Sequence, residues 1–174
     1  MSRGALGRPT PMSETATRDV VAGRVLDAPP EEAWRAWSDP AAVARWWGPA
    51  GFTVPVADLD FREGGSSLLC MRAPEEYGGG EYWNTWTYRS ITPCERIEFE
   101  LAFTGADRSP ATPPPGVPDR VPHVVTLVPV ADGRTEVTVT EHGYRTDEAR
   151  DLSLAGLEQC LDKMAAMFPA RSAG

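Results

Sequence analysis

The sequence predicts an α+β fold in which a curved antiparallel sheet of about six to seven strands wraps around one long C-terminal helix. Two observations support this prediction. Apolar residues recur at helical spacing from Asp147 to Phe168, whereas from Phe52 to Glu141 apolar and polar residues tend to alternate, as in strands with one buried face. A helix with a single apolar side needs an apolar partner, and the sheet can supply it.

The predicted C-terminal helix has an apolar stripe bordered by small residues. The large members of the stripe are Leu154, Leu157, Leu161, Met164 and Phe168. Ser153, Gly156 and Cys160 flank it, while Glu158 and Asp162 lie on the opposite side. Because the flanking side chains are small, we expect unfilled volume between this helix and the sheet.

Two short helices are predicted directly after a first strand at Val20 to Leu26. The segment from Asp27 to Glu32 contains two prolines followed by two acidic residues, which favour a helix start. A second start lies at Ser38 to Pro40, and Gly48-Pro49 ends that helix.

The last two strands form a hairpin around the turn at residues 131–133. A three-residue loop with Gly133 in a left-handed conformation places Val125 opposite Val139 and His123 opposite Glu141. A two-residue turn would instead place His123 opposite His142. We favour the first register because it pairs apolar residues with apolar residues.

Residues 18–170 are predicted to form a single domain, and its longest irregular segment is residues 105–122. Six of these eighteen residues are proline, so we expect a loop there. Residues 1–17 are rich in small and polar types and are expected to be a disordered tail, as are residues 171–174. Either Met1 or Met12 is compatible with the true start.

Composition excludes several classes of function. The net charge is -8 and the seventeen basic residues are scattered, which argues against a nucleic-acid partner. Without an apolar run long enough to span a bilayer or a signal peptide, we expect a cytoplasmic protein with no membrane partner. Three widely spaced cysteines and two histidines give no metal motif, so neither a metal nor a cofactor is predicted.

Several motifs resemble those of the START-like (SRPBCC) superfamily and follow one another in the same order along the chain. Within this superfamily they resemble the branch that includes the C-terminal domain of the heat shock protein 90 ATPase activator. They are Ala33 to Trp37 with Asp39-Pro40, Arg45 to Pro49, Asp60 to Gly65, Tyr88 to Ile97, Gly133 to Thr135, and Gly156 in the last helix. The resemblance covers Val20 to Phe168. It implies the helix-grip (START-like, Bet v 1-like) fold and a cavity that holds small apolar or aromatic molecules.

Two departures from the family pattern bear on function. Where relatives commonly have Gly-Trp in the last helix, this chain has Gly156-Leu157, which leaves more room against the sheet. The co-chaperone that the family resembles carries an additional N-terminal domain, whereas this chain has a short polar tail. The difference argues against a chaperone partner.

The predicted ligand-binding residues lie on the inner face of the sheet, on the helix that it grips and near the second short helix. They are Trp46, Trp47, Phe52, Leu69, Met71, Trp86, Tyr88, Phe99, Leu101, Phe103, Val125, Val139, Ser153, Leu157, Cys160 and Leu161. Large aromatic residues also fill ordinary cores, so core packing is the alternative reading for each of them.

His123 and Glu141 are the candidate catalytic residues, because the favoured register brings an imidazole beside a carboxylate. The alternative is a structural cross-strand pair. The sequence therefore predicts a binding protein for a small hydrophobic or aromatic molecule. The alternatives are a cofactor-free enzyme of the polyketide cyclase or hydrolase type, and a module that regulates a chaperone ATPase. An exposed edge strand is also compatible with a homodimer.

Overall fold

A computed structural model describes residues 18–170 and has the predicted helix-grip architecture. The predicted tails, residues 1–17 and 171–174, lie outside the described residues. The elements in chain order are β1 (Arg18–Leu26), α1 (Pro30–Ser38), α2 (Pro40–Trp46), β2 (Thr53–Asp58), β3 (Ser66–Arg72), a 3-10 turn (Glu75–Tyr77), β4 (Glu81–Thr92), β5 (Arg96–Thr104), β6 (Val121–Val130), β7 (Arg134–Tyr144) and α3 (Asp147–Ala166).

The seven strands form one antiparallel sheet in the order β1-β7-β6-β5-β4-β3-β2. Strand β1 thus pairs with β7, and strands β2 to β7 each pair with their neighbours in sequence. Residues on the inner face are mostly buried, as at Ile97, Phe99 and Leu101 of β5, while Arg96 and Glu98 of the same strand are less buried or exposed. The alternation read from the sequence therefore separates the two faces of the sheet.

The two short helices cover one part of the inner face with tryptophans. Pro30 and Pro40 stand in their first turns, and the Asp39 side chain accepts a hydrogen bond from the Ala41 amide at the start of α2. Trp46 is fully buried, and its indole N–H donates to the Ala36 carbonyl at 2.6 Å. This packing leaves the remainder of the inner face to α3.

Helix α3 is capped and tied to the sheet at its beginning. The Thr146 side chain accepts a hydrogen bond from the Ala149 amide, and Asp147 adds a carboxylate to the first turn. Asp147 also pairs with Arg18 of β1. Further along, Arg24 of β1 pairs with Asp162, with their nitrogen and oxygen 2.8 Å apart.

The β6-β7 hairpin has the favoured register, and the two-residue alternative is wrong. Val125 faces Val139 and His123 faces Glu141. The three-residue loop is possible because both Asp132 and Gly133 adopt left-handed conformations, with φ of 65° and 70°. Pairing apolar side chains on the buried face decides the register.

The proline-rich loop ends two residues earlier than the sequence predicts. β6 begins at Val121 rather than at His123, because the Val121 side chain is buried opposite Leu101. Pro122 is tolerated within the strand because the pairing of β6 with β7 starts only at His123.

The loop packs against the start of α3. The Arg145 amide donates a hydrogen bond to the Gly116 carbonyl at 2.8 Å, and the Ala111 amide donates to the Phe103 carbonyl at 3.0 Å. Gly116 lies so close to Thr146 and Ala149 that a side chain there would collide with both. The contact sets the distance between the loop and α3.

We predict that Gly116→Ala lowers the free energy of unfolding by about 2 kcal/mol or more, because a left-handed φ of 82° and a collision with Ala149 combine at this site. Gly64→Ala is the matched control. Gly64 has a similar φ of 83° and no atom within 4 Å of an added Cβ, so its cost should be about 1 kcal/mol. Urea unfolding of both variants measures the difference, and equal losses would show that the loop does not pack tightly here.

Candidate ligand-binding site

A partly open cavity of about 210 Å³ lies between α3 and the sheet. Helix α3 forms one wall of the cavity, and residues of strands β3 to β7 form the opposite wall. The segment after α2 closes one side. The residues that line it are Trp47, Gly48, Pro49, Met71, Asn84, Leu101, Phe103, Val121, His123, Glu141, Tyr144, Leu152, Ser153, Gly156, Leu157 and Cys160. Most of these side chains are apolar, which is typical of small-molecule sites.

Small side chains on α3 create the cavity. Ser153, Gly156 and Cys160 all face it, and a Cβ added to Gly156 would meet only Pro49, at 3.8 Å. Burial raises the pKa of the Cys160 thiol to about 11, so this side chain stays neutral. The helix therefore presents a shallow, uncharged wall.

The cavity continues into an outer groove of about 510 Å³ beneath the proline-rich loop. Both spaces are lined by Met71, Phe103, Tyr144, Leu152 and Ser153. Pro114, Pro115 and Val117 of the loop line the far side of the groove. Leu152 is 72% exposed, so an apolar side chain stands at the junction of cavity and solvent.

A buried carboxylate joins the sheet to α3 at the cavity wall. Glu141 Oε1 accepts hydrogen bonds from the Tyr144 hydroxyl at 2.5 Å and from the Ser153 hydroxyl at 2.7 Å. Glu141 Oε2 lies 3.4 Å from His123 Nε2. Burial by itself would raise the pKa of Glu141, but the charge of His123 and the hydrogen bonds from His123, Tyr144 and Ser153 hold it below its ordinary value. The carboxylate is therefore ionised inside the protein.

The His123 ring is held by its neighbours on all sides. Its Nδ1 lies 2.9 Å from the Val121 carbonyl, which can only accept, so Nδ1 carries the hydrogen. The ring stacks on Phe99 at 4.6 Å, and Phe99 stacks on Trp86 at 4.7 Å. With Nε2 facing Glu141, both ring nitrogens have acceptors from the protein itself.

The protein's single lysine fixes the far wall of the cavity. Lys163 Nζ donates to the Gly48 carbonyl at 2.9 Å and lies 3.4 Å from the carbonyls of Trp47, Pro49 and Phe52. Burial lowers the pKa of this amine. These bonds tie the segment after α2 to the last turns of α3.

Comparison with known proteins identifies the family. The sequence model of the family described as activator of Hsp90 ATPase homolog 1-like protein (AHSA1) matches residues 27–169. The chain belongs to this family. No curated protein shows significant similarity to the chain.

Solved structures share the fold of this chain. The AHSA1-like chain is 27% identical to a protein from Chromobacterium violaceum, with a TM-score of 0.68 over 87% of this chain and 97% of that one. It is 25% identical to a Mycobacterium smegmatis protein, with a TM-score of 0.69 over 91% and 93% of the two chains. An AHSA1 protein from Silicibacter pomeroyi is 23% identical and shares the fold, with a TM-score of 0.71 over 86% and 96%.

The structure of this AHSA1-like protein brings nine of the predicted site residues to the cavity. They are Trp47, Met71, Leu101, Phe103, Ser153, Leu157 and Cys160, with the candidate catalytic residues His123 and Glu141. These last two lie in the register expected for them.

The other nine predicted residues do not line the cavity. Eight are buried in the core: Trp46, Leu69, Trp86, Tyr88, Phe99, Val125, Val139 and Leu161. Phe52 is only partly buried and packs near Tyr82, with ring centroids 6.4 Å apart. The inner face of the sheet extends beyond the cavity, and the short helices α1 and α2 cover the part that lies outside it. A residue on the inner face therefore does not necessarily line the cavity.

Sequence reasoning missed several residues of the cavity wall. Asn84 shares the inner face of β4 with Trp86 and Tyr88, so the strand alternation could have revealed it. Tyr144 lies where β7 continues past the predicted strand end. The sequence predicts only that Gly48 and Pro49 end a helix, and nothing in their local pattern indicates the cavity.

Three further observations concern the described part of the chain. Tyr88 does not reach the cavity, because its hydroxyl is hydrogen-bonded to the Ser67 hydroxyl at 2.8 Å. Within residues 18–170, no group of three or more His, Cys, Asp or Glu side chains could hold a metal ion. Over the same residues, no helix is long and apolar enough to cross a membrane.

We predict that Glu141→Gln lowers the free energy of unfolding at pH 7 by about 3 kcal/mol, because it leaves His123 buried beside a neutral amide. The folded-state pKa of Glu141 is depressed below its ordinary value of 4.5. Its ionisation therefore stabilises the protein fully above that value, and the stabilisation is lost as the pH falls through the folded-state pKa. The difference between wild type and variant should shrink below about pH 4.5.

Chemical denaturation across this pH range measures the effect. Glu136→Gln, the same change at an exposed position on β7, is the control and should shift stability by less than about 0.5 kcal/mol. A loss for Glu141→Gln that does not change with pH would contradict the assignment of an ionised carboxylate.

Proposed function

We propose that this AHSA1-like protein binds a small, mainly apolar or aromatic molecule in the cavity between α3 and the sheet. The observation that carries the proposal is the cavity itself, about 210 Å³ with predominantly apolar walls, at the position where α3 presents Ser153, Gly156 and Cys160. Protein interiors are otherwise packed as densely as organic crystals. A space of this size inside a small domain therefore needs an explanation.

The cavity is maintained by features that oppose its collapse. Glu141 ties the beginning of α3 to the sheet, and Lys163 ties its end to the segment after α2. The helix between these two points spans the space without filling it. Empty apolar cavities destabilise a protein, so a bound molecule that fills this one would stabilise the fold.

The outer groove offers a route to the cavity. It shares five lining residues with the cavity and opens beneath the proline-rich loop, with Leu152 exposed at the junction. Apolar side chains on this route favour a hydrophobic ligand over a strongly hydrated one. The proposed ligand is therefore small enough for the cavity and can extend into the groove.

The polar pair in the cavity favours binding over catalysis. A general base needs a lone pair that faces the substrate. Both nitrogens of His123 face acceptors of the protein, and one oxygen of Glu141 already accepts two hydrogen bonds. We therefore assign the pair an orienting and structural role in the proposed site.

We predict that Leu157→Trp weakens ligand binding by more than about tenfold, equivalent to ~1.4 kcal/mol, because the indole fills the cavity from the α3 side. The fluorescence of N-phenyl-naphthylamine, an uncharged probe that brightens in apolar sites, measures the affinity. Wild type should bind the probe at a single site.

Ala155→Trp is the matched control, since Ala155 lies on the exposed side of the same helix. It should leave the probe affinity unchanged, and thermal unfolding should confirm that both variants are folded. Absence of probe binding to wild type, or equal binding by the Leu157→Trp variant, would contradict the proposed function.

A further inference from the structure

Asn84 is a buried polar residue in the apolar part of the cavity wall. It lies on the inner face of β4, is 2% exposed and is flanked across the sheet by Leu69 and Phe103. Its Oδ1 is buried and has no hydrogen-bond partner among residues 18–170. A buried carbonyl without a partner destabilises the folded state, whereas a leucine of similar size would not.

The other polar side chains of the wall are largely satisfied by one another. Glu141, Tyr144 and Ser153 share hydrogen bonds, and His123 lies between Glu141 and the Val121 carbonyl. Glu141 Oε1 already accepts two hydrogen bonds, so a ligand that donated to this oxygen would have to displace one of them. Asn84 Oδ1 can accept a hydrogen bond without any such loss.

A second unpaired group in the wall is a donor. The indole Nε1 of Trp47 is buried without a partner in the described part of the chain, and Trp47 also lines the cavity. Among the described residues, the wall therefore contains a buried unpaired acceptor, Asn84 Oδ1, and a buried unpaired donor, Trp47 Nε1. A hydroxyl group both donates and accepts, so it has the chemistry to use either of them.

The charges of the wall favour an uncharged ligand. The lining residues include no Arg or Lys, and the Glu141 carboxylate already faces His123. A carboxylate on the ligand would enter this apolar space without a free cation to balance it. An ammonium group would likewise lack a free carboxylate.

We propose that Asn84 is the residue that recognises the polar group of the ligand, and that the ligand is an uncharged apolar or aromatic molecule with a hydroxyl group that donates to Asn84 Oδ1. The inference rests on the proposed function, since it assigns a ligand chemistry to the same cavity. It also explains why an asparagine occupies a position where an apolar residue would give a more stable core.

Three probes that share the ethylbenzene core test the inference: ethylbenzene, para-ethylphenol and para-ethylbenzoate. Each is titrated at pH 7 against protein loaded with N-phenyl-naphthylamine, and the affinity is read from displacement. Wild type should bind para-ethylphenol about tenfold more tightly than ethylbenzene, because one buried hydrogen bond is gained. It should bind para-ethylbenzoate more weakly than either.

The variant Asn84→Leu should still bind ethylbenzene, and it should bind para-ethylphenol with about the same affinity as ethylbenzene. It should also raise the melting temperature, because the unpaired carbonyl is removed. A purely structural asparagine would give a lower melting temperature on replacement. If the leucine variant folds poorly, Asn84→Ala, which cannot overpack the site, replaces it. The same ratio of affinities for para-ethylphenol and ethylbenzene is then measured on the alanine variant.

Thr104→Val is the matched control. Thr104 Oγ1 is also buried without a partner in the described chain, but Thr104 does not line the cavity. This variant should leave the preference for para-ethylphenol intact.

The outcomes separate the inference from the proposed function. Equal binding of ethylbenzene and para-ethylphenol by wild type would overturn the inference and leave the proposed function standing. The inference would likewise be overturned, and the proposed function left standing, if both Asn84 variants still preferred para-ethylphenol over ethylbenzene. Failure of all probes, including N-phenyl-naphthylamine, to bind wild type would overturn the proposed function and the inference with it.

Discussion

The hydrogen-bonded carboxylate of Glu141 determines how α3 sits on the sheet. It joins side chains from three elements: His123 of β6, Tyr144 at the end of β7 and Ser153 of α3. Because burial makes an unpaired carboxylate costly, these bonds together stabilise the charge inside the protein. The network therefore fixes the first turns of α3 against the cavity wall.

A different set of polar interactions holds the opposite end of α3. Lys163 binds a set of backbone carbonyls in the segment that closes the cavity, and Arg24 of β1 pairs with Asp162 one residue earlier. A helix fixed at both ends cannot move inward to fill the space beneath Gly156. The cavity is therefore a consequence of rigid support together with small side chains, rather than of loose packing.

The wall of the cavity is stiff for a separate reason. Trp86, Phe99 and His123 form a stacked column on the inner face of the sheet, and Trp46 packs against Trp86 with ring centroids 6.3 Å apart. Such aromatic contacts add to the stability that burial supplies. This part of the core can offset the cost of polar groups such as Asn84 in the neighbouring cavity wall. Functional sites commonly combine locally unfavourable residues with a well-packed surrounding core.

The sequence by itself determined the elements, the register and the faces. Alternation placed Leu101 and Phe103 on the inner side of β5, and apolar pairing selected the hairpin register that sets His123 against Glu141. Helical spacing placed Gly156 toward the sheet. These signals are local, because a strand or helix repeats its faces at a fixed period. Only the tertiary structure decided which part of the inner face remains uncovered. The short helices fill one part of that face and α3 spans the other, so Trp86 became core while Asn84, two residues away on the same strand, came to line the cavity.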